Sequence, residues 1–380
     1  MTAARRPWAI YAITRHGVAI GARLAAALGA GADLYVSEKL RALAPPDAHP
    51  RPLPLPMGPF LADTFTAYDC HVFVISVGAV VRLIAPYLRD KKVDPAVVCI
   101  DDDARFAICV LSGHVGRGNG FTARTAEALG AQAVITTASD VRGTLTVDVL
   151  GRELGWTLDD PDRNVTRGCA AVVNAATVAF VQETGEPSFW PVERPLPEGV
   201  DYFTDLADVE PDRYEILLVA SDRDLGRSHP GHFENAVVYR PRSLVLGLGC
   251  DRGASSEMVE RGIREILMRS GLVIASIKAV ATVDRKGDEP AFLALCARYG
   301  WPLLTYPAAA LDAVPGIASP SETVRRHVGT RGVAEPAALL GAGAGTLLVP
   351  KQVYTEPGAG RSMTLALARI PFARREVHRV

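Results

Sequence analysis

The feature that most constrains the fold is an alternation, along the whole chain, of short Val- and Ile-rich runs with longer segments of helical spacing. Runs such as 71–76 (HVFVIS) and 244–250 (LVLGLGC) have the length and composition of β-strands. The intervening segments fit helices, and after Ser255 the side chains of Val259 and Ile263 fall on one apolar face. Strands that alternate with helices predict an α/β protein with mainly parallel strands.

The length of 380 residues exceeds what one ordinary core supports, so we expect several compact units. The sequence predicts an N-terminal α/β domain with a mainly parallel sheet (1–150), a small α/β bridging domain (151–238) and a C-terminal mixed-sheet α/β domain (239–380). Within them we expect an irregular Pro-rich loop over 44–59, a hairpin turn over 101–104 and a helix from Thr144 that ends at Gly155 and Trp156. The runs 346–354 and 362–370 predict an antiparallel hairpin.

Charge and cysteine usage exclude several classes of protein. The 41 basic and 42 acidic residues are interspersed, so there is no basic stripe of the kind that binds nucleic acid. The six cysteines are scattered without a CxxC pair, which favours buried thiols in a reducing cytoplasm over disulfides or a zinc site. No signal peptide is recognisable, and no apolar run approaches the roughly 20 residues of a membrane span. We therefore expect a soluble cytoplasmic protein with neither nucleic acid nor membrane as a partner.

The segment 111–119 (LSGHVGRGN) follows a strand and precedes a helix, which is where α/β sheets place ligand sites. Gly113 and Gly116 would let the backbone approach a ligand, and the first amides of the helix would favour a carboxylate or phosphate. His114 is the leading general acid or base, and Asn119 adds an amide that the loop can orient. The same pattern also fits a flexible turn whose histidine caps backbone groups.

Two further loops share this edge if the sheet is parallel, namely 76–82 (SVGAVVR) and 136–140 (TTASD). Arg82 can hold a substrate carboxylate, and the hydroxyls beside Asp140 can position water. Each residue also has an ordinary interpretation, Arg82 as a solvated helix residue and Asp140 as a helix cap. The catalytic candidates are His114, Asn119 and Asp140, and the substrate-binding candidates of this domain are Gly78, Arg82, Ser112, Gly113, Gly116, Arg117, Thr136 and Thr137.

The C-terminal domain offers a second set of substrate-binding candidates. Gly247 and Gly249 follow a strand and precede a helix, and Arg252 next to them suits an anionic ligand. Glu335 heads a helix, where a carboxylate also simply complements the helix dipole, and Lys351 follows a strand that reads as buried. Each of these charges can equally be an ordinary surface group.

Neither a metal nor a nicotinamide cofactor is expected. The run Asp101–Asp103 carries oxygen ligands, but charge runs in tight hairpins are usually solvated turns. The glycines at 247, 249 and 253 give GxGxxxG, one residue longer than the common dinucleotide fingerprint, and Lys278 lies where an acidic residue is usual. An NADP-dependent reductase is therefore only a third interpretation.

Several of these segments resemble a known family. The stretches 76–101, 109–119 and 133–140 are similar to the N-terminal part of the CbiG family of cobalt-precorrin-5A hydrolases. The stretches 246–257, 332–340 and 348–354 resemble the CbiG C-terminal domain, which is itself similar to the stand-alone protein CobE. The resemblance covers most of the chain.

This resemblance implies a role in cobalamin biosynthesis: hydrolysis of the δ-lactone of cobalt-precorrin-5A to give cobalt-precorrin-5B and acetaldehyde. The substrate is a carboxylate-rich tetrapyrrole that carries its own cobalt, so no further cofactor is implied, and neighbouring corrin-pathway methyltransferases are possible partners. His114, with Asn119 and the loop amides, would activate water and stabilise the oxyanion that forms at the lactone carbonyl.

The chain departs from the family's usual loop, LSGHxGGANE. Arg117 replaces a glycine, Gly118 an alanine and Gly120 the glutamate. If that glutamate serves as the family's base or positions the water, a protein without it would bind a corrinoid and not hydrolyse it. The alternative function is therefore a precorrin-binding or carrier protein of the same pathway.

Overall fold

The computed structural model describes residues 5–191, 193–315, 317, 325–326, 329–356 and 360–375. The chain divides into a first compact unit, Met1–Val149, and a second, Leu150–Val380. Three sheets with helices between their strands confirm the predicted α/β class. Across the described residues, no helix has both the length and the apolar character needed to cross a bilayer.

A seven-stranded sheet organises the first unit, in the spatial order β3-β2-β1-β4-β5-β6-β7. Its strands are β1 (Arg6–Ala12), β2 (Ala32–Ser37), β3 (Arg51–Leu53), β4 (Tyr68–Val74), β5 (Ala96–Ile100), β6 (Phe106–Leu111) and β7 (Gln132–Val134). Its helices are α1 (Arg15–Leu28), α2 (Met57–Thr64), α3 (Val77–Ile84), α4 (Gly118–Leu129) and α5 (Ala138–Arg142). One apolar core lies between the sheet and α1 with α4, and another lies on the side of α2 and α3.

Strand direction reverses within this sheet. β1 to β5 are parallel, whereas β5 and β6 form the predicted antiparallel hairpin. The carbonyl of Asp101 accepts a hydrogen bond from the amide of Ala104 at 2.9 Å, and the carboxylate of Asp101 accepts one from the amide of Phe106 at 2.6 Å, which fixes the turn. β7 is parallel to β6. The segments that follow β6 and β7 therefore lie at the edge where β1, β4 and β5 begin.

The prediction of an irregular loop over 44–59 is wrong in part, because Pro46–Ala48 form a 3₁₀ turn, Arg51–Leu53 form β3 and α2 begins at Met57. β3 is an edge strand that pairs with β2 alone. A proline removes one backbone donor, and an edge strand tolerates this on its unpaired side.

The second unit starts with a five-stranded middle sheet in the order β10-β9-β11-β12-β8. Its strands are β8 (Thr157–Leu158), β9 (Val178–Gln182), β10 (Val200–Phe203), β11 (Ile216–Ala220) and β12 (Ala236–Arg240), and its helices are α6 (Val165–Val173), α7 (Leu225–Ser228) and α8 (Pro230–Glu234). β9 to β12 are parallel, and β8 pairs antiparallel with β12. The expected domain boundary at 238/239 falls inside β12, so the middle sheet runs on to Arg240.

The helix predicted from Thr144 to Trp156 is wrong. These residues form turns and a single 3₁₀ turn, Arg152–Leu154. Gly151 and Gly155 flank that turn with positive φ values of 70° and 82°. A left-handed residue on each side interrupts the repeating backbone geometry that a helix requires.

The last sheet has the order β15-β14-β13-β17-β16 and is mixed, as predicted. Its strands are β13 (Leu244–Cys250), β14 (Ile277–Val283), β15 (Leu303–Tyr306), β16 (Val349–Thr355) and β17 (Ser362–Arg369), and its helices are α9 (Ser256–Arg269), α10 (Pro290–Tyr299), α11 (Ala308–Asp312) and α12 (Ala334–Ala342). The sequence allows either Ser255 or Ser256 to cap α9, and the structure shows Ser255 as the cap, because its hydroxyl accepts a hydrogen bond from the amide of Met258. β16 and β17 form the predicted antiparallel hairpin.

Candidate active site

Residues 112–117 connect β6 to α4 in a tightly closed loop. The amides of Gly118 and Asn119 donate to the carbonyls of Ser112 and Gly113, each at 2.9 Å. Ser112 and Arg117 have positive φ values of 56° and 61°, which residues other than glycine seldom adopt. Such backbone strain persists where the surroundings hold it and often marks a functional site. The geometry therefore favours a functional loop over a flexible turn.

Glycine at two positions lets this loop pack. A Cβ at Gly113 would lie 2.8 Å from Asn119 Oδ1 and 2.8 Å from Thr137 Cγ2. A Cβ at Gly116 would lie 2.4 Å from the Cβ of Ser112. Because real Cβ atoms do not approach so closely, these glycines allow the loop after β6 to meet the loop after β7.

His114 lies at the centre of this meeting point. Its Nε2 is 2.7 Å from Asp140 Oδ2 and 3.0 Å from the hydroxyl of Ser139. Its Nδ1 is 3.3 Å from Asp148 Oδ1. The side chains of His114 and Asp148 are 19% and 17% exposed, whereas that of Asp140 is 40% exposed. One carboxylate thus lies on the shielded side of the imidazole and the other on its open side.

These contacts change the proton affinity of both groups. Asp148 is the main cause that raises the pKa of His114 to about 8; burial opposes this rise and Asp140 adds to it. Burial by itself would raise the pKa of Asp140, but hydrogen bonds from Thr137 and His114 outweigh burial and lower it. At neutral pH the site therefore holds a largely protonated imidazolium beside an ionised carboxylate.

Asn119 and Thr137 orient the open carboxylate. Asn119 Nδ2 donates to Thr137 Oγ1 at 2.7 Å and to Asp140 Oδ2 at 2.9 Å. Thr137 Oγ1 donates to Asp140 Oδ2 at 2.6 Å. The structure thus brings together the three residues predicted as catalytic, and it gives Asn119 the local role of holding Asp140.

Asp148 is a functional candidate that the sequence did not indicate, whereas Ser139 is one of the hydroxyls beside Asp140 that it did. Asp148 follows the apolar residues Leu145 and Val147, both fully buried. A lone carboxylate in a buried apolar segment is a signal in itself, because a charge there needs a partner. Only the tertiary structure shows that this partner is His114.

A cavity of about 450 Å³ lies beside the same loop and is lined by Val115, Gly116 and Arg117. Arg5 and Lys92 also line it, so that three cationic side chains face this space. Two carboxylates, Asp69 and Asp94, lie there too. Asp94 is buried and both of its carboxylate oxygens share a hydrogen bond from the amide of Arg89, so the cations outnumber the carboxylates that remain open to a ligand.

Gly78 and Arg82 do not join this site. They lie in α3, which follows β4, and the reversal of β6 puts the end of β4 at the opposite edge of the sheet from His114. The expected convergence of their loop with the His114 loop is wrong, because it assumed a parallel sheet throughout. Arg82 is exposed and donates to the carbonyl of Gly78 at 2.9 Å. Thr136, by contrast, lies at the correct edge, in the loop after β7, and is exposed.

The candidates of the C-terminal sheet have mainly structural contacts. A Cβ at Gly247 would lie 1.8 Å from the carbonyl oxygen of Ala334, so α12 occupies the space that a ligand would need. This contradicts a substrate-binding role for Gly247. Glu335 is 1% exposed and accepts a hydrogen bond from the amide of Lys351 at 3.0 Å, which ties α12 to β16. Gly249 lies against Thr364, and Arg252 is exposed in the turn after β13.

The fold and the site define a three-sheet α/β protein with a histidine held between two carboxylates at one edge of its first sheet. Three family models match consecutive parts of it: Cobalamin synthesis G N-terminal over 59–140, Cobalamin biosynthesis central region over 145–241 and Cobalamin synthesis G C-terminus over 244–368. The chain belongs to the cobalamin synthesis G family, as its resemblance to CbiG proteins predicted.

Curated relatives agree with this assignment. A cobalt-precorrin-5A hydrolase of Priestia megaterium is 38% identical over 97% of this chain and 96% of the relative. A protein of the same name from Salmonella typhimurium is 31% identical over 87% of this chain and 91% of the relative. Protein CobE of a Sinorhizobium species is 39% identical over 30% of this chain and 73% of its own length, and it matches the C-terminal part.

Proposed function

We propose that this chain acts in cobalamin biosynthesis and hydrolyses the δ-lactone of cobalt-precorrin-5A, with release of acetaldehyde and formation of cobalt-precorrin-5B. The observation that carries the proposal is His114 held between Asp140 and Asp148, with one open and one shielded carboxylate. Lactone opening needs a group that stabilises an oxyanion and a group that orients water, and this arrangement supplies both. The names of two relatives that match nearly the whole chain support it.

The protonation states of His114 and Asp140 suggest which residue performs each step of lactone hydrolysis. The imidazolium of His114 stabilises the oxyanion that forms at the lactone carbonyl and then donates its proton to the leaving ring oxygen. Asp140, ionised and open to solvent, orients the attacking water and accepts the proton that this water loses, and transfer of that proton to His114 restores both groups. Asp148, on the shielded side, keeps His114 protonated.

The cavity beside the loop suits a substrate with several carboxylates. Arg117, Arg5 and Lys92 line it, and a guanidinium binds a carboxylate through two parallel hydrogen bonds. Arg117 is the residue that replaces a glycine of the usual family loop. This replacement therefore adds a cation beside the acid–base centre.

The missing glutamate of the family loop does not favour the carrier alternative. A Cβ at Gly120 would meet nothing within 4 Å, so a side chain there would enter open space. The carboxylates that contact His114 come from α5 and from the segment after it. The acid–base centre is therefore complete without a carboxylate at position 120.

We further propose that the protein needs no resident cofactor and that cobalt arrives with the substrate. Both ring nitrogens of His114 face carboxylates, and the described residues contain no group of three His, Cys, Asp or Glu side chains that could hold a metal ion. The six cysteines are free thiols, which fits a reducing cytoplasm. In that compartment the methyltransferases that act on the same macrocycle are candidate partners.

The proposal is tested by anaerobic incubation of the full-length protein with cobalt-precorrin-5A, with an acetaldehyde trap and mass analysis of the tetrapyrrole. Acetaldehyde together with a lactone-opened product shortened by two carbons is expected. Tight binding of the tetrapyrrole without either product would overturn the hydrolase proposal in favour of the carrier.

A further inference from the structure

The chain connections of the middle sheet change direction between the neighbouring strands β9 and β11. The parallel strands lie in the order β10-β9-β11-β12. From β9 the chain goes to β10 on one side, and from β11 it goes to β12 on the other side, so the segments that leave these two neighbours diverge. In open parallel sheets, ligands bind at such a switch point.

A cavity of about 220 Å³ opens at the carboxyl end of β9, on its β10 side, and is lined by the segments that follow β9 and β17 and by Tyr202 of β10. Its wall is held by hydrogen bonds. Gln182 Nε2 donates to the carbonyls of Gly185 and Glu186, each at 3.0 Å, and the hydroxyl of Tyr202 donates to Gln182 Oε1 at 2.9 Å. The polar atoms of Gln182 are thus occupied, and the cavity is preformed.

Thr184 is one of the residues that line this cavity, and its buried hydroxyl has no partner among the described residues. The residue is 6% exposed, and within the described residues its Oγ1 makes no hydrogen bond. Buried hydroxyls are nearly always paired, because an unpaired one has lost water and gained nothing in return. A ligand in the cavity that hydrogen-bonds Thr184 would supply the missing partner.

The charge of the lining favours an anion. The carboxylate of Glu183 is occupied by Arg223 at 3.0 Å. Arg369 makes two hydrogen bonds of 2.7 Å to buried Asp222. Arg374 adds a second lining guanidinium, and it makes no ion pair or hydrogen bond among the described residues. The charges within each of these two ion pairs cancel, so the guanidinium of Arg374 leaves one net positive charge in the cavity lining.

We propose that this cavity binds a small alkyl carboxylate, with the Thr184 hydroxyl and the Arg374 guanidinium as its recognition groups. Since a water molecule takes up about 30 Å³ in the liquid, the space suits on the order of seven non-hydrogen atoms, the size of an acetate or propionate group. Such a group occurs as a free carboxylate and as a side chain of a carboxylate-rich tetrapyrrole. The site itself does not depend on lactone hydrolysis.

The test is a calorimetric titration of the full-length protein with propionate. The neutral isostere propionamide is the control ligand. Saturable binding of propionate alone is expected. Thr184→Val and Arg374→Gln are expected to weaken it about tenfold or more, the effect of losing a charge-assisted hydrogen bond, and Thr184→Ser to preserve it. Arg213→Gln, at a side chain 73% exposed in the same unit, is the matched control and leaves affinity unchanged.

Equal binding of propionamide, or unchanged affinity in both Thr184→Val and Arg374→Gln, would overturn the proposal.

A second experiment, which rests on the proposed hydrolase function, identifies the source of the carboxylate. A raised KM for cobalt-precorrin-5A with unchanged kcat in these variants assigns the site to a side chain of the macrocycle, and an unchanged KM assigns it to a free carboxylate. If the wild-type protein releases no acetaldehyde, the hydrolase proposal fails and the propionate titration still decides the site.

Discussion

Two histidine–aspartate pairs lie at opposite edges of the first sheet, and only in one of them is the histidine shielded from water and held by a second carboxylate. His16 Nδ1 is 3.2 Å from Asp102 Oδ2, but these side chains are 71% and 55% exposed. His114 contacts carboxylates through both nitrogens and is 19% exposed. Water screens the first pair, and surface pairs of this kind contribute little. Shielding from water and a second carboxylate therefore distinguish the surroundings of His114 from those of His16.

The partners of the two aspartates show the same difference. Asp102 also accepts a hydrogen bond from the hydroxyl of Thr14 at 2.8 Å, and Thr14 caps α1. In Asp140, by contrast, the single oxygen atom Oδ2 lies within hydrogen-bond distance of His114, Asn119 and Thr137. The first pair secures the start of a helix, and the second gathers a set of polar groups at an open surface.

The largest expected contrast between the two edges is in turnover. His114→Ala should lower kcat for acetaldehyde release by about 10²- to 10⁴-fold, the usual contribution of a positioned acid or base. His16→Ala should leave kcat within about twofold of wild type, since surface pairs of this kind contribute little. Steady-state assays of both variants against cobalt-precorrin-5A measure the difference. Equal losses in the two variants would remove the distinction between the edges.

The next effect is on stability. Because the folded-state pKa of His114 is raised from 6.5 to about 8, the protonated histidine should stabilise the folded protein by about 2 kcal/mol below pH 6.5. That contribution is lost as the pH rises through about 8. The difference in thermal midpoint between wild type and His114→Gln should therefore shrink between about pH 6 and pH 9. A difference that is constant with pH would contradict the ion pairs described for His114.

A smaller effect should follow from removal of the shielded carboxylate. Asp148→Asn takes away the main cause of the raised pKa of His114, so this pKa should fall toward 6.5. At pH 7 the protonated fraction then falls from about nine tenths to about one quarter, so kcat should fall by about fourfold. NMR titration of the imidazole, alongside the pH profile of kcat, separates this role from a general loss of folding. A normal pH profile with reduced kcat would show that Asp148 only supports the fold.

The smallest effect is expected from restoring the usual family glutamate. Gly120→Glu places a side chain in open space at the start of α4, so kcat should stay within about twofold of wild type. Gly120→Ala is the matched control for backbone and helix propensity. An increase in kcat of tenfold or more in the glutamate variant alone would mean that the site lacks a carboxylate.

The local features of the fold were predictable from the sequence, whereas their spatial consequences were not. The cap at Ser255 and the hairpin at Asp101 depend on residues within a few positions of one another. The hairpin also reverses β6 and β7, and this reversal places His114 at the opposite edge of the sheet from Arg82. His114, Asn119 and Asp140 were nevertheless predicted together, because β6 and β7 are parallel to each other.

The remaining differences arise from contacts between distant parts of the chain. Gly247 lies in a motif typical of ligand binding, yet α12, formed much later in the sequence, fills the space in front of it. Asp148 lies outside every motif, and only the packing of its segment places it against His114. Sequence spacing shows which residue types are available, but it does not show which distant segment will cover them.

The pH dependence of kcat for acetaldehyde release by the full-length wild-type protein, from about pH 6 to about pH 9.5, tests the central claim most directly. If His114 acts as an imidazolium held by two carboxylates, kcat should be high at neutral pH and fall with a midpoint near pH 8. A kcat that instead rises through pH 8 would mean that neutral His114 is the working form, and it would contradict this account.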